Sequence, residues 1–166
     1  GAGGGSLAKV QRGQRLTVGP ESAGSFPGPA CYGRGGTGAT VTDANVTLGR
    51  IDGEKFLGGG MRLDSEAARG AIDAEVAKPL SLATEPAAEG LLAVVNANLG
   101  AAIRLSLFEK GVDPREFTMI AFGGGAPLHA CRLAEKVGVT SIIVPKGAGV
   151  GAAIGFLWFN CHPARM

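Results

Sequence analysis

The sequence predicts an α/β domain, a mixed sheet flanked by helices, on three observations. A strand, a helix and a second strand follow one another over residues 118–144, the succession of a parallel βαβ unit. Two strand-like runs near the start are joined by a short glycine-containing connection, which adds an antiparallel pair. Between them lies a long segment whose apolar residues recur every three or four positions, the mark of one helical face.

In order along the chain, residues 6–10 and 15–18 are the two strand-like runs, and Gln11 to Gln14 connect them. Over residues 19–40 the alternation stops, and Pro20, Pro27, Pro29 and frequent glycines mark an irregular loop. Thr42, Asp43 and Asn45 are cap-type residues ahead of Val46, Leu48 and Ile51, predicting a short helix from near Asp43. Residues 56–60 form a turn. Asp64, Ser65 and Glu66 open an alanine-rich helix expected to end before Pro79, because a proline ring collides with the carbonyl four residues back.

The longest helix is expected over residues 85–110, with Leu92, Val95, Leu99, Ile103 and Leu107 as its core stripe and Gly111 as a left-handed C-cap. Residues 118–122 read as a strand, 127–137 as a helix closed by Gly138, and 140–144 as a second strand. Both strands are expected to be buried on two faces. Residues 147–157 begin as a glycine-rich turn and continue as an apolar helix.

Composition narrows the class. The 166 residues suffice for one domain with a real core, and 45% hydrophobic against 18% charged residues describes a globular chain. Glycine is unusually abundant, 29 residues, so many backbone positions do something a side chain would obstruct. A net charge of +2 with scattered basic residues offers no field for nucleic acid. Cys31, Cys131 and Cys161 form no CxxC pair, which argues against a disulfide framework or zinc knuckle and for a reducing, cytoplasmic setting. No apolar run is expected to reach the roughly 20 residues that span a bilayer, and the start lacks the features of a signal peptide. Beginning inside a glycine motif, the chain reads as a piece of something longer.

The chemistry sits in the glycine segments. Phe122-Gly123-Gly124-Gly125-Ala126-Pro127-Leu128-His129 lies between a predicted strand and a predicted helix, with proline expected at the first helical position. Amides at a helix start attract anions, and glycines allow close approach to the main chain. Consecutive amides in Gly1-Ala2-Gly3-Gly4-Gly5-Ser6 could wrap phosphate oxygens in the same way. Nucleotide binding is the leading reading of both, and tight packing is its alternative. Neither has the Lys-Ser/Thr of a phosphate loop, and no GxGxxG with a later acid occurs.

GAGGGSLA, then PGPACYGRGGT and TVTDAN, then FLGGGMRL, FGGGAPLHA and VPKGAGVGAAIGFL, resemble in order and spacing the hydantoinase A/5-oxoprolinase family. That family includes ATP-dependent N-methylhydantoinase and the acetone and acetophenone carboxylase subunits. The resemblance covers residues 1–157 as one nucleotide-binding lobe and stops at the tail, residues 158–166. It implies a ribonuclease-H-like lobe of an actin-like ATPase, with ATP and Mg as cofactors. Gly3, Gly4, Gly5 and Ser6 would match a phosphate-binding hairpin, and Gly123, Gly124, Gly125, Ala126 and Pro127 the turn over the adenosine. The substrate would be a cyclic amide or, alternatively, a ketone to be carboxylated. The partners would be an N-terminal lobe and a companion large subunit.

Two departures stand out. The family's Asp-x-Gly-Gly-Thr phosphate motif is absent, so the aspartate that binds Mg-ATP is not on this chain, and a non-catalytic structural lobe is the rival reading. Ala126 stands where many relatives have glycine, and a residue before proline is pushed toward extended angles.

Among single residues, Asp43 is the candidate acid, facing substrate or metal, or else a helix cap. Cys31 is a nucleophile only with a base beside it, and otherwise a structural thiol. His129 and Cys131 fall on different faces of one helix, and a metal site from Cys31, His129 and Cys131 is a third possibility. Arg104 could reach a phosphate or lie on a solvated face.

Overall fold

The computed structural model describes residues 3–151 and 153, and the chain divides into two compact units, Gly1–Asn98 and Leu99–Met166. In the first unit β1 (Ser6–Gln11) and β2 (Arg15–Ser22) form an antiparallel hairpin with Gln11 opposite Arg15. Gly13 (φ 82°) and Gln14 (φ 59°) turn the chain between them in the left-handed region. The second strand runs further than its alternation indicated, through Pro20 to Ser22. Its outer edge can hold a proline because, among the described residues, only β1 pairs with it.

The other edge of β1 is taken by the chain leading into α1 (Val41–Thr47). Leu7 bridges Thr40, and the Ala8 amide donates to the Ala39 carbonyl at 2.8 Å. The expected single mixed sheet is therefore not formed among the described residues, which hold two separate two-stranded sheets. The start of α1 is a capping box: Thr40 is the N-cap and Asp43 the third helical residue, each side chain bonding the other's amide. The helix thus begins two residues before Asp43.

The next helix, α2 (Ser65–Ile72), is capped as expected by Asp64, whose carboxylate accepts from the Ala67 amide at 2.9 Å. It does not stop before Pro79. A widened π turn, Asp73–Ala77, leads directly into the single turn α3 (Lys78–Leu80), which contains Pro79 and ends at Ser81 (φ 56°). In the π turn the Lys78 amide bonds back five residues, to Asp73. That extra residue gives the proline ring room at a carbonyl it would otherwise strike.

Helix α4 (Thr84–Glu109) carries the boundary between the units. Its end matches expectation, with Gly111 at φ 65° and its amide on the Phe108 carbonyl at 2.9 Å. Only part of its stripe is core: Leu92 and Val95 are buried, whereas Leu99, Ile103 and Leu107 are partly exposed. Contrary to the sequence expectation, α4 is long and apolar enough to cross a membrane by length and composition. Leu91, Leu92 and Val95 are instead packed within the first unit, where Val41, Ile72 and Val76 are the other aliphatics buried almost completely. A second cluster groups Cys31, Val46, Leu63 and Ala68 with Tyr32, Ile51, Phe56 and Met61 around it.

In the second unit β3 (Thr118–Ile120) pairs parallel with β4 (Ser141–Ile143), and α5 (Ala126–Val137) connects them. Gly138 (φ 83°) closes α5 with its amide on the Ala134 carbonyl at 2.8 Å. This is the predicted βαβ unit, but its strands are not buried on two faces. Ile120 is 59% and Ile143 51% exposed, and Phe122 and Val144 are also exposed. Helix α5 buries Leu133, Ala134 and Val137, and no second layer among the described residues of this unit covers Ile120 and Ile143. An apolar pocket of about 310 Å³ opens among Ile103, Leu107, Phe117, Met119 and Leu133. Beyond the turn Ala148–Val150, the helix expected up to residue 157 falls largely outside the described residues, and the tail 158–166 entirely so.

Candidate functional site

The first glycine segment is a tight turn. The Ser6 amide donates to the Gly3 carbonyl at 3.0 Å, and the Gly3 amide to Ser6 Oγ at 2.9 Å. The turn is seated on α1, because the Gly4 carbonyl accepts from both the Thr42 amide (2.8 Å) and Thr42 Oγ1 (2.9 Å). The Gly5 carbonyl accepts from the Ala23 amide at 2.8 Å. A Cβ added to Gly4 would stand 2.7 Å from Thr42 Oγ1, and one on Gly5 2.9 Å from Ser22 Oγ. At these two positions the missing side chain is needed by the chain's own close packing. Gly1 and Ala2 lie outside the described residues.

Asp43 is wholly buried. Its Oδ1 accepts from the Cys31 amide at 2.8 Å, and its Oδ2 accepts from the Thr40 hydroxyl (2.6 Å) and the amides of Thr40 (3.0 Å) and Ala30 (3.3 Å). One carboxylate thus fastens the turn at Ala30–Tyr32 to the start of α1. It serves as the third residue of the capping box rather than as the N-cap itself.

Burial, then the negative charge of Asp43, pushes the Cys31 thiol well above the ordinary cysteine range. A thiol held protonated is a poor nucleophile. Cys31 is expected to resist alkylation of the native chain while exposed Cys131 reacts, read by mass spectrometry of digested, iodoacetamide-treated protein. Rapid native labelling of Cys31 would contradict the buried, protonated state.

The second glycine segment has the opposite character. Gly123 (φ 89°) donates its amide to the Ala148 carbonyl at 2.7 Å, which pins the turn. A Cβ on Gly123, Gly124 or Gly125 would meet nothing within 4 Å. Gly125 is the N-cap of α5 and no side chain caps that end. The helix starts one residue earlier than expected, at Ala126, so Pro127 is its second residue. Ala126 is drawn into the helix rather than extended because the first turn closes through the Leu128 amide on the Gly125 carbonyl at 3.2 Å.

The glycine turns lie in different units, Gly3 to Ser6 in the first and Gly123 to Pro127 in the second. Among the described residues no group of three or more His, Cys, Asp or Glu side chains could hold a metal ion. His129 is buried in α5, and the Arg104 guanidinium donates to the Lys136 carbonyl at 3.0 Å near the end of that helix. Sequence reasoning missed Thr40 as the N-cap and named Thr42 only as a cap-type residue, not as the partner of Gly4. The Thr-x-x-Asp spacing of Thr40 and Asp43 could have revealed the first. Nothing local reveals the second, whose partner is 38 residues away.

The sequence pattern described as Hydantoinase/oxoprolinase matches residues 1–161. The chain belongs to the hydantoinase/oxoprolinase family. Among the family's curated members it is 46% identical to the caprolactamase subunit alpha of Pseudomonas jessenii, over 93% of this chain and 22% of that protein. It is 44% identical to the acetophenone carboxylase gamma subunit of Aromatoleum aromaticum, over 93% of this chain and 21% of that one. Its structure resembles the nucleotide-free acetone carboxylase from a study of ATP-dependent acetone carboxylation, with a TM-score of 0.86 at 32% identity, covering 93% of this chain and 22% of that one. This family member therefore spans about a fifth of the length of the relatives it matches.

Proposed function

We propose that this segment is a nucleotide-binding lobe, of the ribonuclease-H-like, actin-like ATPase kind, in an ATP-dependent enzyme that hydrolyses a cyclic amide such as a hydantoin or 5-oxoproline. The observation that carries the reading is the open turn at residues 123–125. With the Gly123 amide engaged by Ala148, the amides of Gly124, Gly125 and Ala126 stand at the positive end of α5, which no side chain caps, and the space beside the Cα atoms of Gly124 and Gly125 is open. That arrangement fits the polar edge of a nucleotide. Two relatives are described as ATP-dependent, a caprolactamase and an acetone carboxylase.

ATP would supply the phosphoryl group that activates an amide oxygen, and this chain's part would be to bind and orient it. The described residues do not fit a magnesium site: Asp43 is fully engaged by four donors, and among them no group of three or more His, Cys, Asp or Glu side chains is placed to hold a metal ion. The metal's protein ligands, the substrate pocket and a companion subunit would belong to other parts of the enzyme. A ketone carboxylase is the second reading, because identity to the acetophenone carboxylase subunit, 44%, nearly equals the 46% to caprolactamase.

Titrating Mg-ATP into the full-length polypeptide should give saturable heat. Gly124→Val should weaken binding at least about tenfold, which is about 1.4 kcal/mol. It should leave the melting temperature unchanged, since the new side chain enters open space. Absence of saturable binding by the wild type would defeat the reading. ATP turnover stimulated by a lactam, or instead by a ketone with bicarbonate, separates the two substrate classes.

A further inference from the structure

We propose that Thr42 is a positioning residue that fixes the Gly4–Gly5 peptide so that the Gly5 amide points out of the glycine turn, away from α1. The identity of the anion it would present to rests on the nucleotide reading above; the orientation itself does not.

The argument starts from peptide geometry. In a planar trans peptide the carbonyl and the following N–H point in opposite directions. Gly4–Gly5 is not among the cis bonds, which are Gly19–Pro20 and Phe26–Pro27. The Gly4 carbonyl is drawn onto the start of α1 by two donors of one residue, the Thr42 amide at 2.8 Å and Thr42 Oγ1 at 2.9 Å. The Gly5 N–H must then face the other way.

Two further features leave that amide available. Neither central residue of the turn, Gly4 or Gly5, has a positive φ, and the turn closes from the Ser6 amide to the Gly3 carbonyl. In such turns a polar side chain at the first position commonly takes the amide two residues on, but here that position is Gly3. Accordingly, the Gly5 amide donates to no backbone carbonyl of a described residue, and the nearby hydroxyls of Ser6 and Ser22 accept instead from the Gly3 and Gly24 amides. Thr42 is itself only 7% exposed, and its hydroxyl is committed to this contact. Serine at position 42 retains both donors, whereas valine keeps the shape and loses the hydroxyl.

The test compares wild type, Thr42→Ser and Thr42→Val in the full-length polypeptide. Without nucleotide, hydrogen exchange over residues 3–8 should be faster in Thr42→Val and unchanged in Thr42→Ser, with the rest of α1 protected as before. Mg-ATP should bind Thr42→Val about threefold to tenfold more weakly, the value of one hydrogen bond, and Thr42→Ser like wild type. Unchanged exchange in Thr42→Val, or loosening equally present in Thr42→Ser, would overturn the clamp. If wild type binds no Mg-ATP while Thr42→Val alone loosens the turn, the clamp stands and the nucleotide reading falls. If the turn loosens but affinity for Mg-ATP is unaltered, the Gly5 amide has no part in binding and the inference fails.

Discussion

Asp43→Ala is expected to destabilise the first unit by about 3–5 kcal/mol, measured by urea unfolding with far-UV circular dichroism. The substitution strips the acceptor from four donors at once: the amides of Ala30, Cys31 and Thr40 and the Thr40 hydroxyl. Asp43 is wholly buried, so water does not replace the lost partners without the site opening. Asp43→Asn should cost less, since one oxygen still accepts, but its new amide faces donors and the unit should still unfold at lower urea. A purely catalytic aspartate would behave differently: its asparagine variant would lose turnover at unchanged stability. Unaltered unfolding in both variants would remove Asp43 from the scaffold described above.

Gly36→Ala is expected to cost about 3 kcal/mol in the same assay, by overpacking rather than by a lost bond. A Cβ there would run into the Gly28 carbonyl oxygen, with the Pro29 carbonyl oxygen 3.3 Å away. Both obstacles are main chain, which cannot rotate aside as a long side chain does. Gly70→Ala is the matching control, because Gly70 lies inside α2, is exposed and has open space at its Cβ. There alanine should stabilise by about 0.5–1 kcal/mol through helix propensity. Equal effects at both positions would mean that the 28–43 segment is looser than its contacts imply.

The parts of this fold legible in the sequence were those written in local pattern. The β1–β2 hairpin, the α4 terminus at Gly111 and the β3–α5–β4 succession each depend on residues within a few positions of one another. What local pattern could not disclose was competition between distant segments. Nothing within β1 marks what covers its second edge; the Ala39 carbonyl and Thr40 fill it, from far along the chain. Periodicity likewise assigned Leu99, Ile103 and Leu107 to a core, yet burial needs a partner surface, and theirs is incomplete.

The candidate site divides along the same line. Glycine richness marked both turns, but composition could not distinguish Gly4 and Gly5, which make room for Thr42 and Ser22, from Gly124 and Gly125, which face open space. Asp43 was legible as a helix-start residue. Its grip on the Ala30 and Cys31 amides was not, because they lie 13 and 12 residues before it.

The widened turn at Asp73–Ala77 and Pro79 in the next turn are a matched pair. Shortening the turn by one residue restores ordinary helical phase but sets the ring against a carbonyl, while exchanging the proline leaves a bulge with nothing to accommodate. Neither change is neutral on its own, so this stretch of helix can drift only by altering both together or by passing through a less stable intermediate.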